Sequence, residues 1–423
     1  MAIEQRHLAL PRGISETEPS RTHLQRALVE EWFDTCALFG FQAVQVPAIG
    51  FADTFTRGHH ATGDRIYQFP DRRGRELALV SDSLPAVLRF ASTRRHPEQR
   101  LSYSCPIFRY ERRPRRHFHH LGLMEVHDRP GTMAAQVRST LRITQVLHEF
   151  LRNQLSVSFT ITDPGLWHIL AGLFRPAEKT AEYLNLLRHI PVHDRAQRLR
   201  SDGAPDPVVQ MADLLAVDPA LTSWSDLLPV GGSWDGLRDR VAACHQVAQA
   251  LRMEGAHAST DLTELHASEF HDGPSFLLRA GGGRVLGDGG SYGRFAQAFL
   301  PTPARIYAGI IGLERLADLI AGDEIAHPAA DLAILATQGV ATQQCADRLA
   351  VSLRSASVSV WDTVLNRPTR QHLRDLAALA IPYSIIVGER ELRATEYRVR
   401  DCSGTLHLVA HAELAQWLTK RRS

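Results

Sequence analysis

The chain is 423 residues long, with 44% apolar and 22% charged residues. That is an ordinary globular composition in a chain long enough for two or three hydrophobic cores. The formal net charge of +2 excludes a strongly basic nucleic-acid coat, so any RNA contact is confined to a local patch. The five cysteines, Cys36, Cys105, Cys244, Cys345 and Cys402, are odd in number and lack C-x-x-C spacing, which argues against a disulfide framework and for a reducing cytoplasm. No apolar run approaches the roughly 20 residues of a membrane span. The opening MAIEQRHLALPRG has no apolar signal core, so a cytosolic protein is expected.

In chain order, Leu24, Leu28, Trp32, Phe33, Cys36 and Leu38 have helical spacing, with Ser20 or Thr22 as the cap and Gly40 as the stop. Residues 41–47 alternate like a strand ended by proline. Residues 66–69 and 76–79 read as strands around the turn Asp71-Arg72-Arg73-Gly74.

The stretch 101–126, LSYSCPIFRYERRPRRHFHHLGLMEV, reads as a hairpin. Its first part, 102–110, is rich in aromatic and β-branched residues, and 118–126 alternates. Between them Glu111-Arg112-Arg113-Pro114-Arg115-Arg116 is a turn whose four arginines cannot be buried unpaired. Guanidinium binds phosphate oxygens through a rigid fork of donors, so arginine and glutamate beside a basic tip suit a polyphosphate. A solvated basic hairpin accounts for the same charges. His117, His119, His120 and His127 include imidazoles two apart on a strand face. No cysteine or carboxylate completes a tetrahedral set at recognisable spacing, so they are read as pocket histidines, with no metal site expected.

Helical periodicity returns over 137–155, followed by a strand at 157–161. From about 164 to 249, helices near 166–173, 180–187, 208–215 and 234–251 alternate with Pro- and Gly-containing breaks, as in a helical insertion. The sheet resumes at Ala256. Gly281-Gly282-Gly283-Arg284 and Gly287-Asp288-Gly289-Gly290-Ser291-Tyr292-Gly293 read as glycine-rich turns flanking a strand, for positive φ or for close approach of a ligand. Residues 308–319 read as a helix with an apolar stripe. After a linker at 322–328, strands at 333–336, 358–361, 383–388 and 397–401 alternate with helices at 342–353 and 369–379, as in an α/β domain with parallel strands.

Phe108-Arg109-Tyr110-Glu111-Arg112 resembles motif 2 of the class II aminoacyl-tRNA synthetases, and Gly312-Leu313-Glu314-Arg315-Leu316 resembles their motif 3. Two such matches in the family's order are more specific than either alone. The layout is similar to that of histidyl-tRNA synthetases over nearly the whole chain. Leu10-Pro11-Arg12-Gly13 resembles their P-R-G opening, and the first helix with its proline-ended strand resembles motif 1, which builds the dimer interface. Val387-Gly388-Glu389-Arg390-Glu391-Leu392 resembles the I-G-E-x-E-L stretch of class IIa anticodon-binding domains.

The resemblance implies a mixed α/β (α+β) fold. A class II catalytic domain with a mainly antiparallel sheet would span 1–163 and 250–322. A helical insertion at 164–249 would either contact the tRNA acceptor arm or only cover the site, and an anticodon-binding-like α/β domain would occupy 329–423. It further implies a homodimer, ATP with magnesium, an amino acid, and tRNA as the acceptor.

Residue by residue, the resemblance gives Arg109 the α-phosphate and Arg315 the γ-phosphate of a bent ATP. These two are the catalytic candidates. Phe118 would stack on adenine, and Glu111 and Glu314 would assist at the polyphosphate and its magnesium. Amino-acid contacts fall on Asp82, His120, Met124, Glu269 and Tyr292.

The departures are in the amino-acid pocket. Ser81-Asp82-Ser83 stands where the family shows R-P-E-x-T, and His120 stands for a glutamine. Met124 falls near an acidic position with Glu125 next door, and a one-residue slip decides which of the two faces the pocket. Residues 261–273 lie where R-G-L-D-Y-Y is expected, with Leu265 or His266 at the arginine and Glu269-Phe270 at the tyrosines. G-G-R-Y-D survives as Gly289-Gly290-Ser291-Tyr292-Gly293, and Arg284 is a spare cation in place of the lost arginine. The pattern D-L-x-E-L-x-x-x-x-x-H-x-G is more similar to the regulatory subunit of ATP phosphoribosyltransferase, a paralogue that does not charge tRNA and commonly lacks the C-terminal domain. Two readings follow. One is an enzyme activating an amino acid as its adenylate for transfer to tRNA or another acceptor; the other is a non-catalytic binding or regulatory paralogue.

Overall fold

The computed structural model describes residues 9–57, 65–94, 96, 98–110, 115–129, 131–222, 233–300, 304–321 and 328–421. Glu111 and the hairpin tip around it lie outside the described residues. The chain divides into two units, Met1–Gly322 and Asp323–Ser423.

The first unit begins with α1 (Pro19–Leu38), β1 (Gln42–Ala43), β2 (Ile49–Phe51), α2 (Ala52–Thr56), β3 (Gln68–Pro70), β4 (Glu76–Leu79) and α3 (Ser83–Ser92). These lead to the long strands β5 (Glu98–Phe108) and β6 (His117–His127), then α4 (Met133–Leu151) and β7 (Val157–Thr162). A helical stretch follows, α5 (Pro164–Gly172), α6 (Thr180–Arg188), α7 (Arg195–Ser201), α8 (Asp206–Val217) and α9 (Ser233–Met253). The unit closes with β8 (His257–Thr260), β9 (Ser275–Ala280), β10 (Arg284–Ser291), α10 (Gly293–Ala296), β11 (Arg305–Gly312) and α11 (Leu313–Ile320).

Its main sheet has the order β1-β5-β6-β11-β10-β9-β7-β8. Pairing is antiparallel except at the two ends, where β1 runs parallel to β5 and β8 to β7. A small sheet β2-β4-β3 stands apart.

Period-2 alternation sorts the sheet into two buried faces. Leu121 and Leu123 of β6 join a core with Trp32 of α1, Ile143 and Leu147 of α4, and the helical stretch through Trp167, Leu184, Leu199 and Leu237. Met124 and Val126 point the other way, into a core with Val87 and Leu88 of α3, Tyr103 of β5 and Ile306 of β11. The stretch α5–α9 thus shares the core of the face that α1 and α4 also cover. Spacing placed α1 correctly because Leu28, Trp32 and Cys36 form its buried stripe. Its start lies at Pro19, whose missing N–H costs nothing in a first turn, and neither Ser20 nor Thr22 is the cap.

Several expectations are corrected. Residues 308–312 belong to strand β11, and only Leu313–Ile320 is helical. Both faces of β11 are buried, and an apolar run covered on both sides has no period by which to tell strand from helix. Residues 287–291 form part of β10 and are no turn. A Cβ on Gly289 would lie 2.3 Å from the Ala308 carbonyl oxygen and 2.6 Å from Phe276 Cζ, so this glycine permits close approach of strands. Only 281–283 turns, with φ near +75° at Gly282 and Gly283. The strand expected over 41–47 is reduced to the edge pair Gln42–Ala43.

In the second unit, β12 (Leu332–Ala336), α12 (Val340–Ser355), β13 (Val360–Val364), α13 (Thr369–Ala378) and β14 (Tyr383–Val387) form the expected parallel α/β core. β15 (Glu396–Asp401) and β16 (Leu406–Ala410) add an antiparallel ribbon before α14 (Leu414–Thr419), so the sheet β13-β12-β14-β15-β16 is mixed. Among the described residues no helix is long and apolar enough to cross a membrane.

Tyr103 lies across the ladder from Gly122, where a Cβ would sit 2.3 Å from its ring. Gly122→Ala is therefore expected to lose about 1–3 kcal/mol of stability, seen as a lower urea midpoint at unchanged slope. A midpoint equal to the parent's would show that the ring can move away freely.

Candidate functional site

A cleft of about 1150 Å³ opens on the Met124 side of the sheet. Asp82, Arg109, Phe118, His120, Glu269, Tyr292, Glu314 and Arg315 all line it, as does Arg284. Met124 does not: it is fully buried in the core beneath. Glu125 faces the opposite side, where Arg142 binds it and His127 lies 3.3 Å away. The acid beside Met124 therefore serves the fold.

The position of each group follows from local chemistry. Asp82 is the N-cap of α3, its Oδ1 accepting the Leu84 N–H at 2.9 Å. Its Oδ2 accepts a hydrogen bond from Arg109 Nη2 at 3.0 Å, and Arg109 Nε donates to the Ser81 carbonyl at 2.7 Å. The guanidinium is thereby fixed 5.6 Å from the centre of the Phe118 ring. Opposed charges from the start of α3 and the end of β5 thus present a cation beside an aromatic face.

Glu314, in the first turn of α11, accepts the backbone N–H of His119 at 2.8 Å and meets His119 Nδ1 at 2.7 Å. Burial penalises its carboxylate, but the His119 contacts outweigh that penalty and hold its pKa below the usual range. Both oxygens clip strand β6 to helix α11. Arg315, one residue on, donates to the Val285 carbonyl at 2.6 Å, which ties α11 to β10.

His120 is buried and its Nδ1 lies 3.1 Å from Ser83 Oγ, which in turn donates to Tyr103 Oη at 3.3 Å. Burial and the neighbouring Arg109 pull its pKa down to about 4, so the ring is neutral at pH 7. Tyr292 is buried against His271, ring centres 4.4 Å apart, and burial pushes its phenol up, so it stays protonated. Beneath it Asp272 accepts from Ser291 Oγ, the Gly293 N–H and Arg305, fixing the end of β10.

Of the two residues left open at the arginine position, Leu265 is in the core and His266 lines the cleft. His266 Nε2 meets Asp288 Oδ2 at 2.7 Å. Ala267 then adopts φ +51°, a left-handed conformation that ordinarily suits glycine. Asp288 and Arg188 escaped the reading of the sequence as site residues. Asp288 had a signal, a lone carboxylate in a run of glycines; Arg188 had none, since it reaches the cleft from α6 to stand 3.9 Å from Glu269. In all, six arginines and four acids line the cleft, which favours an anionic ligand.

The family model described as histidyl-tRNA synthetase matches residues 13–306. The chain belongs to the histidyl-tRNA synthetase family. A histidine--tRNA ligase from Pelotomaculum thermopropionicum is 24% identical over 419 residues, 92% of each chain. An ATP phosphoribosyltransferase regulatory subunit from Moorella thermoacetica is 36% identical over 123 residues, which cover 27% of this chain and 32% of that one. Among solved structures, histidyl-tRNA synthetase from Nostoc sp. PCC 7120 superposes with a TM-score of 0.79 at 18% identity, over 98% of this chain and 99% of that one. A Bacillus halodurans protein described as an ATP phosphoribosyltransferase regulatory subunit/histidyl-tRNA synthetase gives a TM-score of 0.72 at 16% identity, over 86% and 96%. The two likenesses establish a shared fold, that of histidyl-tRNA synthetases and their regulatory relatives.

Because His120 is held neutral, the unfolded chain binds a proton that the folded one refuses between pH 6.5, the ordinary histidine value, and about 4. Stability from this site therefore falls as pH falls through that window. Urea unfolding at pH 7 and pH 5 should show a smaller loss for His120→Gln than for the parent. Equal losses would place the acid sensitivity elsewhere.

Proposed function

We propose that the protein is an ATP-dependent enzyme that activates an amino acid as its aminoacyl adenylate, with tRNA or another nucleophile as the acceptor. The observation that carries this reading is the convergence of Arg109, Phe118 and Arg315 on one cleft, each already fixed by a partner. In the reaction the carboxylate of the acid attacks the α-phosphorus of ATP in line, a new P–O bond forms, and pyrophosphate leaves. The protein's part is to position the two substrates and stabilise charge on the phosphates. Arg109 is assigned the α-phosphate, Arg315 the γ-phosphate and Phe118 the adenine.

Neutral His120 and protonated Tyr292 give the acid's side polar contacts without net charge. Glu269 lies at the same side, opposite Arg188. Asp82 is the carboxylate assigned to the acid's amino group, and its oxygens also accept from the Leu84 N–H and Arg109.

Of the four cleft carboxylates among the described residues, three are already hydrogen-bonded and the fourth, Glu269, stands 3.9 Å from Arg188, so none is offered unopposed to the magnesium used with ATP in the family. Glu314 is engaged by His119, Asp288 by His266 and Asp82 by Arg109. These residues do not fit as its ligands, and the cation is left to the polyphosphate, where magnesium commonly binds. The reading also includes a homodimer through the α1 region and a cytoplasmic location.

A second reading, a binding subunit without turnover, is favoured by the 36% local identity to a regulatory subunit and by the loss of the arginine, whose place falls on Leu265 or His266. The test that separates them is magnesium-dependent exchange of pyrophosphate into ATP with each amino acid in turn, histidine first. Exchange with one acid is expected. Arg315→Ala should lower it about 10²- to 10³-fold, and ATP at 100 times its Kd should add about 2.7 kcal/mol of stability. A folded protein that exchanges with no acid, and that ATP stabilises only when a partner subunit is present, would establish the second reading.

A further inference from the structure

His266 and Asp288 form an imidazole–carboxylate pair, Nε2 to Oδ2 at 2.7 Å, that the adenylation reading leaves without a task. A carboxylate oxygen can only accept, so Nε2 carries the proton and the ring's other nitrogen is the one left to act. Among the described residues no hydrogen bond occupies Nδ1, and the side chain, 41% exposed, lines the cleft. The backbone fixes it as well, through the His266 N–H on Glu264 Oε1 at 3.0 Å and the left-handed turn at Ala267.

The pair lines the same cleft as Arg109, Asp82, His120 and Glu314. Asp288 acts on the charge of His120, and so do Arg109, Asp82 and Glu314. Of the six arginines lining the cleft, Arg109 is engaged by Asp82 and Ser81, Arg315 by the Val285 carbonyl, Arg115 by Asp318, and Arg188 stands opposite Glu269. His266 is a cleft-lining group with one ring nitrogen that has no hydrogen bond among the described residues and with a charge that can be switched.

We propose that His266 is a ligand-contacting cation whose Nδ1–H donates to an anionic oxygen of bound ATP, with Asp288 as its positioning residue. The inference rests on the cleft taking ATP and goes beyond the three residues assigned to that task. The groups facing the ring are Asp288 from β10, Arg188 from α6, and Glu264 and His271 from its own segment. The Asp288 hydrogen bond raises the His266 pKa above the ordinary 6.5 against the opposing pull of burial and Arg188. The imidazolium is thus present below the raised pKa and is lost as pH rises through it.

The experiment is the Kd of magnesium ATP, by calorimetry on the full chain from pH 6 to 9, for the parent, Asp288→Asn and His266→Arg. A charge-assisted bond of this kind predicts that the parent binds roughly 10- to 100-fold more weakly once the ring is deprotonated. Asp288→Asn should move that loss to lower pH, and His266→Arg should bind with no such loss. A group that only supports the fold would shift neither profile. Parent and His266→Arg binding with the same pH profile would overturn the role given to His266 and leave the ATP site standing. A parent that does not bind ATP at any pH would overturn the ATP reading and this inference with it. Binding with the stated pH profile, but without pyrophosphate exchange, would support His266 and move the function to the second reading.

Discussion

A guanidinium held at the edge of a protein core needs a fixed counter-charge, and in this chain that need is met by one carboxylate, Asp82. The same side chain starts helix α3 and holds Arg109. Helix and cation are therefore placed together: the capped first turn sets where the carboxylate stands, and the carboxylate sets where the fork of donors points. The cleft is a series of such engaged charges. Glu314 with His119, Asp288 with His266, and Glu269 with Arg188 each join two different elements. Pairs of this kind add little stability where water reaches them; what they supply is orientation, held before any ligand arrives.

The division of labour between the faces of the central sheet explains how a pocket can change while the frame persists. One face is occupied by helices α1, α4 and the stretch α5–α9, and it carries the buried Glu125 with its cations. On the other face, Phe118 and His120 at alternate positions of β6 and the consecutive residues 284–288 of β10 meet the cleft. Substitutions there, His120 and Asp288 among them, leave the strand ladder untouched, because backbone pairing does not depend on which side chain points outward.

Much of this was legible in the sequence. Helices with one buried stripe, such as α1, announced themselves by spacing, and two short stretches around Arg109 and Arg315 carried the family. What failed to show did so for physical reasons. Strand β11 is covered on both faces and carries no period. The glycines of β10 were read as turns because glycine serves both turns and close strand contact, and only the neighbour, Ala308 or Phe276, tells them apart. The choice between Met124 and Glu125 hung on register, which pairing with β11 fixes and the sequence of β6 alone does not. Arg188 comes from a helix far along the chain, and no local pattern predicts such a meeting.

The ring of Tyr103 lying over Gly122 has a consequence for the order in which the cleft can be assembled. It brings the hydroxyl to Ser83, 20 positions away in the chain, and Ser83 holds His120 across 37. The clip between His119 and Glu314 spans 195. Loop-closure entropy grows with the length enclosed, so the floor of the cleft costs less chain entropy to form than its wall. The floor belongs to one hairpin and the helix before it, while the wall that carries Arg315 waits on the return of the chain through the whole helical stretch.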